Sequence, residues 1–207
     1  MRPWWGMRST ALTPETPSTP KRDRLLDTAF RLFYRDGYHA VGIDLILAEA
    51  GLAKMTLYHH FSSKEELIVA ALERRSQELT QSIADALEAA GASPRKRLLA
   101  LFDWHERWFK SRDFNGCAFV RAAGEYPELA SPVHQVVARR KQASRELLEK
   151  LLTDLGVSPA KTLAGQIQLL LEGAIVTAHT TGNPDTILLA REAALALVKA
   201  ALGKASH

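Results

Sequence analysis

The sequence predicts an all-α protein of about nine helices. Helix starts are indicated where a polar residue is followed by proline, because the polar side chain can cap the first N–H groups and proline has no N–H to leave unpaired. This pair occurs at Thr19-Pro20, Ser93-Pro94, Ser131-Pro132, Ser158-Pro159 and Asn183-Pro184. Helix ends are indicated by glycine, at Gly37, Gly91, Gly156, Gly182 and Gly203,. No segment has the strict apolar–polar alternation of a half-buried strand.

The predicted helices follow one another with short connections. The first begins at Pro20, and its apolar residues recur at helical spacing until Asp36-Gly37,. Two short helices, near 43–50 and 54–60, meet at Gly51. Ser63 and Glu66 form a capping box that opens a long helix to about residue 90,. Five further helices are predicted at 94–111, 117–125, 131–155, 159–181 and 184–202.

Composition excludes several classes of protein. Of the 207 residues, 46% are hydrophobic and 24% are charged, as in globular domains,. No run reaches the ~18–20 apolar residues that cross a bilayer, and the N-terminus lacks the apolar stretch of a secretory signal. We therefore expect a soluble, cytoplasmic protein with no membrane partner. A single cysteine, Cys117, excludes an intrachain disulfide, and no two histidines have His-x-x-x-His spacing, so neither a metal nor a cofactor is predicted,.

Net charge alone does not identify a partner. The formal net charge of +4 is compatible with a polyanionic ligand but does not require one,. Residues 21–64 contain seven Lys or Arg and five Asp or Glu, so this region is only slightly basic. A function must therefore be inferred from the order and spacing of the residues.

A two-helix corner spans residues 43–61. Gly51 stands where the chain turns, and glycine adopts a left-handed φ without steric cost. Apolar side chains on the inner faces would fix the two helices at a steep angle: Ile46, Leu47, Ala50, Leu52, Leu57 and Phe61. The outer face then carries Lys54, Met55, Thr56, Tyr58, His59 and His60. Such a corner is common in helical proteins, where Tyr58 and Phe61 would be core aromatics and His59-His60 a solvated pair. The outer residues favour a DNA-binding helix-turn-helix instead.

The outer residues suit DNA chemically. Lys54, near the N-terminal end of the second helix of the corner, can donate to O6 and N7 of guanine in the major groove. Met55 and the methyl group of Thr56 can contact a thymine methyl. The tyrosine and histidines of the outer face can donate to phosphates, which position a protein without reading the sequence. Lys64 lies at the start of the next helix, where its ammonium and the unpaired N–H groups can hold a phosphate.

Residues 22–67 closely resemble the signature of TetR-family repressors. The resemblance rests on Ala50-Gly51 at the corner, on Thr56-Leu57-Tyr58, on His60-Phe61 and on Lys64. It implies contacts with DNA from one group of residues, Thr56, Tyr58, His60 and Lys64. It also implies that Lys54, Met55 and His59 occupy the family's variable base-reading positions.

Two residues depart from the family pattern. Gly42 stands where the family often has a threonine that caps the second helix and contacts phosphate. Asp44 stands where arginine or another polar base-reading residue is common, and an acid there would repel phosphate. We expect Asp44 either to accept from a cytosine N4 or to stay clear of DNA. The third helix and Lys64 are then expected to make most of the operator contacts.

The resemblance also implies a domain organisation. Residues 1–18, rich in Pro, Ser and Thr, are predicted to be a disordered tail,. A helix-turn-helix DNA-binding domain is expected at 19–66, and a helical ligand-binding and dimerisation bundle at 67–203. Helices near 159–181 and 184–202 are apolar nearly all round and are predicted to form a homodimer interface, with burial inside one monomer as the alternative. The implied partners are double-stranded operator DNA, a second copy of the chain and a small-molecule effector of unknown identity.

An effector pocket is predicted among the aromatic residues at 102–126. Small-molecule pockets are mostly apolar with a few polar groups. The candidate ligand-binding residues are Trp104, His105, Trp108, Cys117, Phe119, Glu172 and His179. His105 shares a helical stripe with apolar residues and is predicted to point inward, either as a ligand contact or as a hydrogen-bonded core residue.

Cys117 supports two further hypotheses. It is predicted to open a short helix, and a helix N-terminus lowers the pKa of a thiol, which would suit a redox sensor; the alternative is a small buried residue. An enzyme with Cys117 as nucleophile and His105 or His179 as base lacks any local signature. A helical protein-interaction module would leave the outer face of the corner unexplained. The sequence therefore favours a non-enzymatic regulator, a repressor that an effector releases from a palindromic operator.

Overall fold

A computed structural model describes residues 20–204, with the side chain of Lys204 excepted. Every regular element in this range is an α-helix, which confirms the predicted fold class. The helices are α1 (Pro20–Asp36), α2 (Ile43–Ala50), α3 (Lys54–His60), α4 (Lys64–Ala89), α5 (Pro94–Phe109), α6 (Ala118–Glu125), α7 (Pro132–Asp154), α8 (Ala160–Thr181) and α9 (Thr186–Lys204). The predicted tail, 1–18, and the cap at Thr19 lie outside the described residues.

Two of the four helix starts that the structure describes have the predicted cap. Ser93 Oγ accepts from Lys96 N at 3.5 Å, and Ser131 Oγ accepts from Val133 N at 3.2 Å. The prediction was wrong at Ser158-Pro159. Pro159 itself is the N-cap of α8, and no side chain accepts a hydrogen bond from the first N–H groups there. The prediction was also wrong at Asn183, whose Oδ1 accepts from Asp185 N at 3.0 Å. That bond places Pro184 in a turn, so α9 begins two residues later than the proline.

Four of the five predicted glycine stops have positive φ: Gly37, Gly91, Gly156 and Gly182. The fifth prediction was wrong, because Gly203 lies inside α9, which continues to Lys204. A glycine can take helical dihedrals as readily as left-handed ones. The composition around Gly203 therefore could not distinguish a stop from a helical residue.

The chain divides into two compact units, of which one contains residues 20–79 and 118–140 of the described range. This unit comprises α1 to α3, the N-terminal part of α4, α6 and the start of α7. Side chains without solvent exposure come from α1, α3 and α4 and from the turn that follows α1: Phe33, Leu57, Leu67, Leu72 and Tyr38. Tyr38 also donates through its hydroxyl to the carbonyl of Ala118 at 3.0 Å. The helix-turn-helix region therefore shares one core with α6.

The second unit contains residues 80–117 and 141–204 of the described range. In it α9 packs against both α5 and α8. Arg191 of α9 donates to Asp103 of α5 at 2.8 Å, and Leu98 and Ile167 are fully buried. Among residues 20–204, no helix combines the length and the apolar content needed to span a bilayer. The predicted domain boundary after residue 66 stays a prediction.

Candidate nucleic-acid interface

The corner between α2 and α3 has the predicted geometry. Gly51 adopts φ 61° and ψ 41°, a left-handed conformation that would strain a residue with a Cβ,. Its N–H donates to Ala48 O at 3.3 Å, and Leu52 N donates to Leu47 O at 3.1 Å. These bonds close α2 with an αL cap and redirect the chain into α3.

The inner faces of the corner are buried as predicted. Ile46 and Leu57 have no solvent exposure, and Phe61 is 2% exposed. Leu47 and Ala50 are also buried, whereas Leu52 is half-buried. Helix α1 packs against both α2 and α3. The corner is therefore seated on a hydrophobic core that fixes the direction in which α3 presents its other side.

The outer face of α3 is open to solvent. Met55 is 79% exposed and Tyr58 is 47% exposed, and Lys54 and His59 are also exposed. Thr56 and His60 are half-buried. Four of the predicted DNA-contacting residues of α3 are therefore open to solvent, and the other two are partly covered. Asp44 of α2 is exposed as well, and Gly42 caps α2 without a side-chain bond.

The two histidines of α3 lie next to each other. Their ring centroids are 5.0 Å apart in an edge-on arrangement. The pKa of His60 lies below its ordinary value, first because of desolvation and then because of positive charge on His59, Arg22 and Lys21. In the free protein His60 is therefore protonated less readily than an ordinary histidine, and a ring N–H can still donate a hydrogen bond to a phosphate.

Lys64, the first residue of α4, has a structural partner that the sequence did not indicate. Its Nζ donates to the carbonyl of His39 at 3.1 Å. Burial lowers the pKa of Lys64, and the carboxylate of Glu125 opposes that shift. An ammonium has three donors, so the bond to His39 leaves Lys64 able to bind a phosphate as well.

The cap of α4 differs in one respect from the predicted capping box. Ser63 Oγ accepts from Glu66 N at 3.1 Å, as predicted. The Glu66 carboxylate, however, accepts from Ser62 N and Ser62 Oγ, both at 2.6 Å, rather than from Ser63. Ser62 offers two donors to a single carboxylate oxygen, and these bonds lower the pKa of Glu66.

Sequence reasoning missed Arg22 as a neighbour of the corner. Its guanidinium lies over the ring of Phe61, 5.4 Å from the centroid. Arg31 of α1 likewise forms an ion pair with Glu49 of α2 at 2.6 Å. The sequence shows both arginines only as positive charges on α1, because no local pattern indicates a partner elsewhere in the chain.

Comparisons with known proteins agree with this geometry. Residues 25–71 match the family model for bacterial regulatory proteins of the tetR family. A solved TetR-family transcriptional regulator of Streptomyces coelicolor is 34% identical, with a TM-score of 0.76, and the match covers 90% of this chain and 96% of that one. The chain belongs to the TetR family of transcriptional regulators. It is thus a DNA-binding protein of a family whose members are regulators and not enzymes.

Two curated relatives of the TetR-family chain match over most of their length. The HTH-type transcriptional regulator LmrA of Bacillus subtilis is 28% identical over 171 residues, covering 81% of this chain and 90% of the relative. The HTH-type transcriptional repressor NemR of Escherichia coli is 26% identical over 146 residues, covering 70% of this chain and 73% of the relative. The similarity therefore extends well beyond the helix-turn-helix.

Three of the predicted ligand-binding residues of this TetR-family chain lie together on α5. Trp104, His105 and Trp108 are all at least nine-tenths buried. The ring centroids of the two tryptophans are 5.8 Å apart. His105 points inward as predicted, and its Nδ1 lies 2.8 Å from the carbonyl of Leu101. Their role in binding an effector stays a prediction.

Cys117 and Glu172 are brought together by a residue that the sequence did not indicate. Lys141 Nζ donates to the two Glu172 oxygens at 2.6 and 2.7 Å and lies 3.5 Å from Cys117 Sγ. Burial alone would lower the pKa of Lys141, but Cys117 and Glu172 raise it above the ordinary value. Cys117 does not open α6, because that helix begins at Ala118.

The other two predicted ligand-binding residues, His179 and Phe119, belong to different units, and His179 lies against Gly116, the chain neighbour of Cys117. His179 Nε2 is 3.0 Å from Asn115 Oδ1. Phe119 belongs to the unit that contains the helix-turn-helix, where it is 3% exposed. The thiol of Cys117 therefore has Lys141 beside it, whereas His105 and His179 bond other groups. These contacts do not support the thiol–histidine hypothesis.

Proposed function

We propose that this TetR-family regulator is a homodimeric repressor that binds a palindromic operator and leaves it when a small molecule binds. The observation that carries the proposal is the outer face of α3, where Lys54, Met55 and Tyr58 are exposed while Leu57 on the same helix is fully buried. Such a helix can enter a major groove without losing its contacts to the core.

The proposed contacts with DNA divide by chemistry. Lys54 and Met55, at the N-terminal end of α3, would contact base edges, with Lys54 donating to guanine and Met55 packing against thymine methyls. Thr56, Tyr58 and His60 would donate mainly to phosphates. Lys64 would add charge at the start of α4, and His59, which is exposed, would occupy a variable reading position.

The proposed dimer uses α8 and α9. Both helices expose large apolar side chains: Leu169 is 74% exposed and Leu189 is 68% exposed, with further exposure at Val176, Leu188 and Leu197. An open groove lies between the helices and is lined by Gln166, Leu169, Leu170, Ala193, Ala196 and Leu197. A second copy related by a two-fold axis would cover this surface with the same surface. Two recognition helices would then meet half-sites about 34–36 Å apart.

Repression, rather than activation, and release by an effector are both part of the proposed function. NemR, which matches most of this chain, is named a repressor. The effector would bind in the unit that contains the buried aromatic residues of α5 and the Lys141–Glu172 pair. Because the proposed target is chromosomal DNA, we also propose a cytoplasmic location.

In vitro selection tests this proposal. The full chain would be incubated with a library of randomised duplexes, and the bound fraction would be amplified and sequenced over several rounds. We expect a palindromic motif with two half-sites. Failure to enrich any sequence would contradict operator binding, and enrichment of a single half-site would contradict the dimer.

Lys54 and Tyr58 are expected to differ in how their loss affects binding. Lys54→Ala should relax base preference at one position of each half-site, with a change in discrimination of about 1–3 kcal/mol. Tyr58→Phe should weaken binding to all duplexes alike, by roughly 1 kcal/mol, because a phosphate bond carries no sequence information. Competition titrations against single-base variants of the selected duplex measure both effects. Lys96→Ala, at an exposed position of α5, is the control for the loss of one positive charge. If Lys54→Ala kept the wild-type base preference at every position, Lys54 would not be a base-reading residue.

A further inference from the structure

The turn that follows α1 is held by a carboxylate from a distant part of the chain. Glu125, the last residue of α6, accepts from Tyr38 N through Oε1 at 2.9 Å and from His39 N through Oε2 at 2.6 Å. These two N–H groups belong to the segment that connects α1 to α2. A carboxylate that accepts two backbone N–H groups makes charge-assisted bonds, which are stronger than those between neutral groups.

The surroundings of Glu125 add further contacts to the same turn. The ring of His39 stacks on Tyr126 with centroids 4.7 Å apart, and its Nε2 lies 2.7 Å from the carbonyl of Glu125. Lys64 Nζ binds the carbonyl of His39 from the side of α4. The turn is therefore held at its N–H groups by α6 and at a carbonyl by α4.

Gly37 allows the carboxylate to approach this closely. It has φ +99°, and a Cβ added there would lie 3.1 Å from Glu125 Oε1. A larger residue at this position would thus be strained and would also press on the carboxylate. The glycine that ends α1 and the glutamate that ends α6 therefore fit each other.

We propose that Glu125 is a positioning residue for DNA binding: it holds the α1–α2 turn, and through it the helix-turn-helix, in the geometry that α3 needs at the operator. The proposal rests on the proposed function, since it requires that α3 binds DNA. Glu125 does not itself contact DNA in this proposal. Its effect passes through α1 and α2, which both pack against α3.

Electrostatics and positioning predict opposite effects when the charge of Glu125 is removed. A glutamate repels phosphate, so neutralising it would by itself strengthen binding to DNA or leave it unchanged. Loss of positioning would instead weaken binding. In Glu125→Gln one carboxylate oxygen becomes an NH₂ group, which cannot accept from a backbone N–H. The sign of the change in affinity therefore distinguishes the two effects.

The experiment compares the full-length wild-type chain with Glu125→Gln on the duplex that the wild-type chain selects. Glu128→Gln is the matched control, because Glu128 is exposed, lies three residues further along the chain and loses the same charge. Affinity is measured by fluorescence anisotropy after the active fraction has been determined by stoichiometric titration. Hydrogen–deuterium exchange of the peptide covering residues 37–40 reports whether the turn is released, and circular dichroism reports folding.

We expect Glu125→Gln to remain helical, to exchange faster at residues 37–40 and to bind the selected duplex about tenfold more weakly, as for the loss of a charge-assisted bond. Glu128→Gln should bind as the wild type does or slightly more tightly. Equal or tighter binding by Glu125→Gln would overturn the positioning role while leaving the proposed function intact. Failure of the wild-type chain to bind any duplex would overturn the proposed function, and the positioning role with it.

A second variant keeps the test decisive if Glu125→Gln does not fold. Glu125→Asp keeps the negative charge but is one methylene shorter, so its carboxylate no longer reaches the N–H groups of Tyr38 and His39 in the same geometry. We expect it to exchange faster at residues 37–40 and to bind the selected duplex roughly threefold more weakly. Wild-type affinity in a folded Glu125→Asp that exchanges faster at residues 37–40 would overturn the positioning role.

Discussion

Replacing Leu169 with arginine should convert the protein to a monomer and reduce its affinity for the operator by at least a hundredfold. Leu169 is 74% exposed on α8, beside the groove that α8 and α9 form. In a two-fold interface each substitution occurs twice, so two guanidinium groups would be buried against apolar surface without partners. A monomer binds one half-site and loses the effective concentration that joins the two halves, which is a factor of about 10² or more.

Light scattering coupled to size-exclusion chromatography measures the mass, and anisotropy on the selected duplex measures the affinity. Leu129→Arg is the matched control, because Leu129 is 77% exposed in the segment that follows α6. That variant should keep the wild-type mass. A dimeric Leu169→Arg protein would place the dimer interface elsewhere, and a monomeric variant with wild-type affinity would show that dimerisation is not needed for binding.

Truncating Leu57 to alanine should destabilise the helix-turn-helix and abolish operator binding. Leu57 is the buried residue of α3 and has no solvent exposure. A fully buried leucine truncated to alanine costs about 2–5 kcal/mol, because its transfer free energy is lost and a cavity remains. Helix α3 has seven residues and depends on this contact to stay seated on α1 and α2,.

Urea unfolding followed by circular dichroism measures the change in free energy of unfolding. Met55→Ala is the control on the same helix, since Met55 is 79% exposed and its truncation should change stability by less than about 0.5 kcal/mol,. If Leu57→Ala were as stable as the wild type, the inner face of α3 would not be the one that the structure shows packed against the core.

The corner of the helix-turn-helix could be predicted from the sequence because its determinants are local. Gly51 supplies the left-handed turn, and the apolar residues of α2 and α3 recur at helical spacing on either side of it. The bounds of both short helices follow from these few residues. The exposure of Met55 and Tyr58 then follows from the burial of Leu57 on the same helix.

The contacts of Glu125 and Lys141 could not be predicted, because they join residues far apart in the chain. Glu125 binds a turn 86 and 87 positions earlier, and Lys141 binds a carboxylate 31 positions later. In the sequence each is one charged residue on a helix, with nothing to distinguish it from a solvated one. The predictions at Ser158-Pro159 and Gly203 were wrong for a related reason. Proline and glycine indicate which backbone conformations a residue can adopt, whereas the conformation it takes also depends on its neighbours.

The difference in affinity between the selected duplex and a scrambled duplex of the same composition tests the central claim most directly. Both would be titrated with the full-length chain by fluorescence anisotropy at about 150 mM salt and at lower salt. We predict that the selected duplex binds at least about 10³-fold more tightly, and that both affinities fall as salt rises. Equal affinity for the two duplexes, or no dependence on salt, would contradict operator recognition by the outer face of α3.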